Sequence, residues 1–374
     1  MSEVAAPDPS TWEGVNTLLD TYARIRPDDA TVIVYSPDSR ESAAWVAAAL
    51  GARGIAPRLV SMRPLRDSGF LQRLRTTLPS PGELSGRLLI LTFERDTMSH
   101  NHVIRAALAE FDKNRCEVIR AMNAGPDLFS LAFHLSPDEL SARNTAILER
   151  CMAADRLRVE SPGGTDLRVR LDNSRFRWVS NRGVWRPGKF VIIPAGEVAT
   201  FPASISGTIV ADFAINVNTL LSHDARLTSC PVTAEIDRGH LVDYDCDNPD
   251  MSEFLSRSFA RKNARNVGEL GFGTNRGITS PISLNSHINE RRPGVHIGFG
   301  QHNQTDALAG YACDIHIDLI ARGGLLWTDD DPLPIDLENL APSSRPHPTI
   351  YRDEDVFSDD ELDGGDCCGL LRSS

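Results

Sequence analysis

Asp314-Ile315-His316-Ile317-Asp318-Leu319 alternates polar and apolar residues without a break. On a β-strand this spacing sends Asp314, His316 and Asp318 to one face and Ile315, Ile317 and Leu319 to the other. The apolar face belongs to a core. The polar face offers an imidazole nitrogen and a carboxylate oxygen from one rigid edge, a pairing that suits a transition metal. A half-buried strand with a solvated His and Asp gives the same pattern, so the neighbouring segments decide how it is read.

Working back from this strand, residues 156 onward read as β-rich. Leu157-Arg-Val-Glu160, Asp166-Leu-Arg-Val-Arg-Leu171, Phe190-Val-Ile-Ile193, Ser206 to Asp212 and Val232 to Asp237 have strand composition. Turn formers such as Pro162-Gly163-Gly164, Pro187-Gly188 and Pro194-Ala195-Gly196 separate them. One amphipathic helix is expected from Met251 to about Arg265. The first 155 residues differ. Strands at Thr31–Tyr35, Arg58–Met62, Leu88–Phe93 and Glu117–Arg120 alternate with helices at Glu41–Leu50, Val103–Lys113 and Pro137–Ala154. That order implies a parallel sheet with right-handed crossovers. The expected organisation is an α/β, Rossmann-like N-terminal domain (1–155), a β-rich α+β metal-binding domain (156–340) and an acidic, disordered tail (341–374). No glycine fingerprint follows the first strand, which argues against a dinucleotide site.

The chain has 374 residues, 41% hydrophobic and 24% charged, with a net charge of −12. Eight acids and no base lie between Asp353 and Asp366, so most of that charge sits in the tail. The remainder is near balance and carries no basic stripe, which argues against nucleic acid as a partner. No apolar run is long enough to span a bilayer, and no secretory leader is visible at the N-terminus. Seven scattered cysteines fit a reducing, cytoplasmic setting. The Cys367-Cys368 doublet reads as incidental.

Three further segments carry metal-capable side chains beside glycines: Ile193-Pro-Ala-Gly-Glu197-Val198, Val267-Gly-Glu269-Leu-Gly-Phe-Gly273 and Gly294-Val-His296-Ile-Gly-Phe-Gly300. Glu197, Glu269 and Asp318 supply three negative charges, and His296 and His316 bind as neutral imidazoles. Two divalent cations and a bridging hydroxide would balance them, and such a pair of ions is a clamp for hydrolysis. One of the two glutamates would then move the proton. His100 and His102, in a loop after a parallel strand, read as a solvent-exposed helix start that could instead reach substrate.

These segments, with Ser161-Pro-Gly-Gly-Thr165-Asp166-Leu-Arg-Val169 and Gly207-Thr-Ile-Val-Ala-Asp212, resemble the aminopeptidase T family of metallo-aminopeptidases. The resemblance implies a two-domain, homodimeric metallo-aminopeptidase acting on small peptides or amino-acid-derived amides. Its metal ions, Zn, Co or Mn, would be held by Glu197, Glu269, His296, His316 and Asp318. The family places a tyrosine seven residues after the first metal histidine. Here that position is Asn303, which can donate a hydrogen bond to an oxyanion but cannot share a proton as a phenol can. The expected catalytic residues are therefore Glu197, Glu269 and Asn303, with His302 or Tyr311 as substitutes for the missing phenol.

The 2,5-dihydroxypyridine dioxygenases look similar too and share the closing His-x-Asp. They use one Fe(II) in a two-His, one-carboxylate set, and their other histidine falls where this chain has Glu269. That departure favours the hydrolase, while His296, His316 and Asp318 could still compose an iron triad. A specialised biosynthetic enzyme on the same scaffold and a non-catalytic dimeric scaffold complete the alternatives.

Overall fold

The computed structural model describes residues 7–95, 98–219, 221 and 223–348. It divides into two compact units, residues 1–137 with 183–195 and residues 138–182 with 196–374. The acids from Asp353 to Asp366 and Cys367-Cys368 lie outside the described residues.

The first unit is built on strands β1 (Ala30–Tyr35), β2 (Arg58–Ser61), β3 (Leu88–Phe93) and β4 (Cys116–Ala121). Chain order continues with β5 (Arg156–Glu160), β6 (Asp166–Arg170) and β7 (Trp178–Asn181) in the second unit. The chain then returns to the first unit as β8 (Phe190–Ile193). The first sheet has the order β2-β1-β3-β4-β8, with every pairing parallel. This corrects the expectation that Phe190–Ile193 belongs to the β-rich half. Its Val191, Ile192 and Ile193 are all buried, and a run without alternation fits a strand covered on both faces. The division of the chain is therefore not a single cut near residue 155, and the helix Pro137–Cys151 lies almost wholly in the second unit.

The second unit adds β9 (Glu197–Thr200), β10 (Ser204–Ala211), β11 (Ala214–Val217), β12 (Val232–Asp237) and β13 (His240–Cys246). It continues through β14 (Val267–Gly273), β15 (Gly294–Gly300), β16 (His316–Ile320), β17 (Leu325–Thr328) and β18 (Ile335–Asp336). Two antiparallel sheets result, ordered β13-β12-β10-β6-β5-β17-β18 and β11-β16-β15-β14-β9-β7. One hydrophobic cluster joins them. Leu157, Val159, Leu167, Ile205 and Ile209 come from the first, and Ile215, Leu270, Phe272, Ile297, Phe299, Ile317 and Leu319 from the second. Ile147 and Leu148 of the helix Pro137–Cys151 enter the same core, as do Met251, Leu255 and Phe259 of the helix Pro249–Phe259.

Two helices end earlier than their periodicity suggests. The helix Pro249–Phe259 starts on an Asn248 side chain that accepts from the Asp250 and Met251 amides. It stops well before Arg265; Asn263 has a left-handed backbone (φ 63°) and donates from Nδ2 to the Ala312 carbonyl. The other spans Asn101–Ala107.

Candidate metal centre

The six-stranded sheet has one apolar and one polar face, and its register sets the polar one. His296 stands opposite Gly271, Asp318 opposite Gly298, and His316 opposite Gly300. On the outer flanks Glu197 faces Gly273 and Asn216 faces Asp318. Directly paired residues share a face of an antiparallel sheet, so Glu197, His296, His316, Asp318 and Asn216 project together.

Glu269 joins them by ordinary alternation with Gly271 and Gly273, and it lies opposite Gly298. A β-bulge at Gly268 shifts the register just before it, so that Val267, of the same parity, pairs instead with Phe299 on the core face. A bulge that re-aims one side chain is a common device beside functional sites.

The glycines keep this face open. A Cβ on Gly298 would lie 2.7 Å from His316 Cε1, 2.9 Å from Glu269 Cβ and 3.1 Å from Asp318 Oδ1. On Gly271 it would lie 2.0 Å from His296 Nε2. Side chains there would fill the space into which the donors converge.

All five expected ligand residues are buried. Glu197, Glu269 and His296 bring ligand atoms within 4.8 Å of one another, a group able to hold a metal ion. His296 Nε2 is 3.0 Å from Glu197 Oε1 and 3.7 Å from Glu269 Oε1. His316 Nε2 and Asp318 Oδ1 form a second contact at 2.9 Å. The His316 ring is oriented by Nδ1, which lies 2.8 Å from the Gln301 carbonyl, and its backbone N–H donates to Asn218 Oδ1. Neither nitrogen of His296, nor Asp318 Oδ1, has a well-aligned hydrogen bond among the described residues. Converging buried polar atoms without aligned partners, of nitrogen and carboxylate type, fit a divalent transition metal.

The protonation behaviour agrees. Burial disfavours charge on His316, yet Asp318, Glu269 and the Gln301 carbonyl outweigh it and lift its pKa to about 10. For His296 burial again opposes charge, and contacts with Glu197 and Glu269 raise its pKa well above the usual value. Burial pushes Asp318 up to about 6 despite the neighbouring imidazoles. Without a metal, protons on the two imidazoles balance the carboxylates, and a bound cation would displace them.

Three residues at this site were not singled out from the sequence. Arg291 is buried with Nη1 2.5 Å from Glu197 Oε2 and 2.7 Å from Glu290 Oε1. Asn216 Nδ2 donates to Glu290 Oε2 at 2.8 Å and to Asp318 Oδ2 at 3.3 Å. Burial works against ionised Glu290, but Arg291, His287 and His296 hold its carboxyl far below the usual range. The available signal was Glu290-Arg291, adjacent opposite charges just ahead of the strand that carries His296.

The remaining expected residues lie after β15 and in the first unit. Asn303 is buried; Oδ1 accepts from Gln304 Nε2 at 2.8 Å, and Nδ2 has no hydrogen-bond partner among the described residues. Tyr311 donates to the Gly300 carbonyl, and the His302 nitrogens lie 2.9 and 2.7 Å from the carbonyls of Gln304 and Tyr311. These contacts tie the loop after β15 and leave neither group free to replace a phenol. In the first unit His102 is exposed, but His100 is buried, with Nε2 2.7 Å from the Arg63 carbonyl, which corrects its reading as a solvated helix start.

These features define a class: an α/β unit joined to a β-sandwich unit whose polar sheet face gathers metal-capable carboxylates and imidazoles. Residues 21–280 match the family described as NicX, 2,5-dihydroxypyridine 5,6-dioxygenase, and the chain belongs to that family. The matched stretch contains Glu197 and Glu269 and ends before His296. Among solved structures, the 2,5-dihydroxypyridine dioxygenase of Pseudomonas putida KT2440 is similar at 14% identity and a TM-score of 0.59, over 90% of this chain and 99% of that one. Wild-type AmpT of Thermus thermophilus is similar at 13% identity and a TM-score of 0.53, over 89% and 99%. No curated protein sequence matches.

The family match overturns the expected metallo-aminopeptidase. The chain is grouped with dioxygenases rather than peptide hydrolases, and the likeness to aminopeptidase T is a distant one of fold. The inference from Glu269 failed because one ligand-position exchange was weighed above the rest of the chain. Among the described residues, no helix is long and apolar enough to cross a membrane.

Proposed function

We propose that this protein is a non-haem, metal-dependent dioxygenase that opens a hydroxylated aromatic ring of the dihydroxypyridine class. A ferrous ion would be held by His296, His316 and Asp318, with Glu269 and Glu197 beside it. The observation that carries this reading is the family match over residues 21–280. The buried imidazole–carboxylate face supports it, because two histidines and a carboxylate with open positions are the usual setting for non-haem Fe(II) oxygenases.

The chemistry that bound iron supplies is electron exchange with dioxygen and stabilisation of a deprotonated ring hydroxyl. The chain's own residues prepare that step. A proton on His316 Nδ1, donated to the Gln301 carbonyl, turns the Nε2 lone pair toward the donor face. Asn216 fixes Asp318 through Oδ2 and leaves Oδ1 for the centre. Glu269 would accept the proton of the substrate hydroxyl, and Asn303 Nδ2 would donate to a substrate oxygen. The surrounding burial excludes water and strengthens each of these interactions. The homodimer implied by the resemblance stays part of the proposal and is tested by sedimentation equilibrium.

The decisive assay reconstitutes the full chain anaerobically with Fe(II), adds 2,5-dihydroxypyridine and follows oxygen uptake with ring absorbance. The expected result is one dioxygen consumed for each aromatic chromophore lost. Iron-loaded protein that takes up no oxygen with any of a panel of dihydroxypyridines and dihydroxybenzenes would overturn the reading.

A further inference from the structure

The second unit holds a pair of thiols that the metal centre does not use. Cys230 lies at the bend that leads into β12, and Cys246 is the last residue of β13. Val232 pairs with Cys246 across the two strands and is fully buried, so Cys246 stands on the core side of the hairpin. Cys230 precedes Val232 by two residues, and on an extended chain that spacing returns a side chain to the same side. Diagonal neighbours on one face of an antiparallel pair lie within reach of each other. The two thiols are in contact: burial pushes the Cys246 thiol up, and hydrogen bonding with Cys230 adds to the rise. Both cysteines are free and half-buried, so small reagents reach them. The other described cysteines are placed differently. Cys116 and Cys151 are buried, and Cys313 Sγ lies 3.4 Å from the Lys262 carbonyl.

The segment that ends at Cys230 covers an edge of the metal-bearing sheet. β11 is the outer strand there; Asn216 on it and Asn218 just beyond it contact Asp318 and the His316 backbone. Residues 225–227 run back along β11. Ile215 N–H donates to the Ala225 carbonyl at 2.8 Å, Leu227 N–H donates to the Phe213 carbonyl at 3.0 Å, and Ala214 bridges to Arg226. His223 sets its ring edge-on to Phe254 of the helix Pro249–Phe259. Cys230 follows Leu227 closely in the chain, while Cys246 belongs to the other sheet. A bond between the two sulfurs would therefore staple the cover of β11 to the β12–β13 hairpin.

We propose that Cys230 and Cys246 are a reversible oxidation site, closing to a disulfide under hydrogen peroxide and reopening under a dithiol reductant. The first thiolate attacks one peroxide oxygen, the O–O bond breaks, and a sulfenic acid and hydroxide result. The second thiolate then attacks that sulfur and expels hydroxide. The two thiol protons convert both hydroxides to water, so two thiols and one peroxide give one disulfide and two waters. A thiol held protonated by burial attacks slowly at neutral pH, and closure accelerates as pH rises. The inference stands apart from the dioxygenase reading and holds whichever reaction the metal centre performs.

The test treats the reduced full chain with hydrogen peroxide in the presence of a chelator, alkylates the remaining thiols and maps the peptides by mass spectrometry. The expected product carries a linked Cys230–Cys246 peptide that dithiothreitol resolves. Hydrogen exchange reads the staple. The amides of Ile215 and Leu227 should exchange roughly tenfold more slowly in oxidised than in reduced wild type, and at one rate in treated and untreated Cys230→Ser. Both thiols still alkylated after oxidation, sulfinic acid at either, or a link from either to a different cysteine would overturn the proposal. A linked pair with unchanged exchange would overturn the staple's hold on β11. Should Cys230→Ser not fold, the wild-type map and its exchange rates decide alone.

Discussion

Each unit buries an arginine against carboxylates, and the two are built to opposite ends. In the first, Arg120 is fully buried, and each of its nitrogens has a partner. Nε donates to Thr92 Oγ1 at 2.7 Å, Nη1 to Asn101 Oδ1, and Nη2 to the Ser99 carbonyl at 2.7 Å and to Glu94 Oε1. Glu94 Oε2 accepts from the Ser99 amide and hydroxyl. In the second unit Arg291 meets two carboxylates, but the group beyond it ends on imidazole nitrogens and a carboxylate oxygen without aligned partners. A satisfied network holds a fold together, and an unsatisfied one keeps a place for something else.

The largest effect should come from breaking the satisfied network. Arg120→Met leaves Glu94 buried without its charge partner and is expected to cost about 3–5 kcal/mol of stability, read from urea unfolding. An unchanged midpoint would mean that the network contributes little to the first unit. Next comes the open network. Gly298→Ala pushes His316, Glu269 and Asp318 apart and should weaken metal binding by roughly 10–100-fold, a loss comparable to that of an outer partner of a metal ligand. Titration with Co(II) checks it, and an unaltered affinity would show that the space beside Gly298 is not the metal's.

Glu117 supplies an intermediate case in the first unit, paired with Arg87. Burial pushes its pKa up from 4.5 to about 7, more than Arg87 pulls it down. The folded state then keeps a proton that the unfolded chain releases. The Glu117 contribution to stability should therefore fall as pH rises from about 4.5 to 7, by about 2–3 kcal/mol, and level off above, read as the difference between wild type and the Gln variant. Glu117→Gln should remove that slope; a difference that stays flat from pH 5 to 7.5 would show that Arg87 keeps Glu117 ionised. The smallest effect has the opposite sign. Glu269→Gln removes one of several crowded carboxylates and should stabilise the metal-free protein by about 1 kcal/mol, while the metal held by His296, His316 and Asp318 still binds. Destabilisation of the apo form by thermal melting would place the site with the satisfied networks.

How much of this was legible follows the same divide. The α/β half read well because its strands are short apolar runs punctuated by helices. The alternation in β16 pointed correctly to a half-core strand with His316 and Asp318 on one face. β14 could not be read by alternation, because Val267 and Glu269 have the same parity and lie on opposite faces through the bulge at Gly268. Glu290 and Arg291 gave only a weak signal, because neighbouring opposite charges are ordinary on a surface and only the fold buries this pair. Phe190–Ile193 went to the wrong sheet because partner choice is a long-range property that a local run of Val and Ile does not encode.

That strand also bears on how the protein is made. Residues 1–137 emerge from a ribosome with β4 at the end of their sheet, its outer edge unpaired until Phe190–Ile193 has been synthesised. During that interval the second unit's opening helix and first three strands are already present, yet their own sheets await later chain. A fragment ending at residue 137 would present β4 rather than β8 as the edge of that sheet, a longer and wholly buried strand turned out toward other chains.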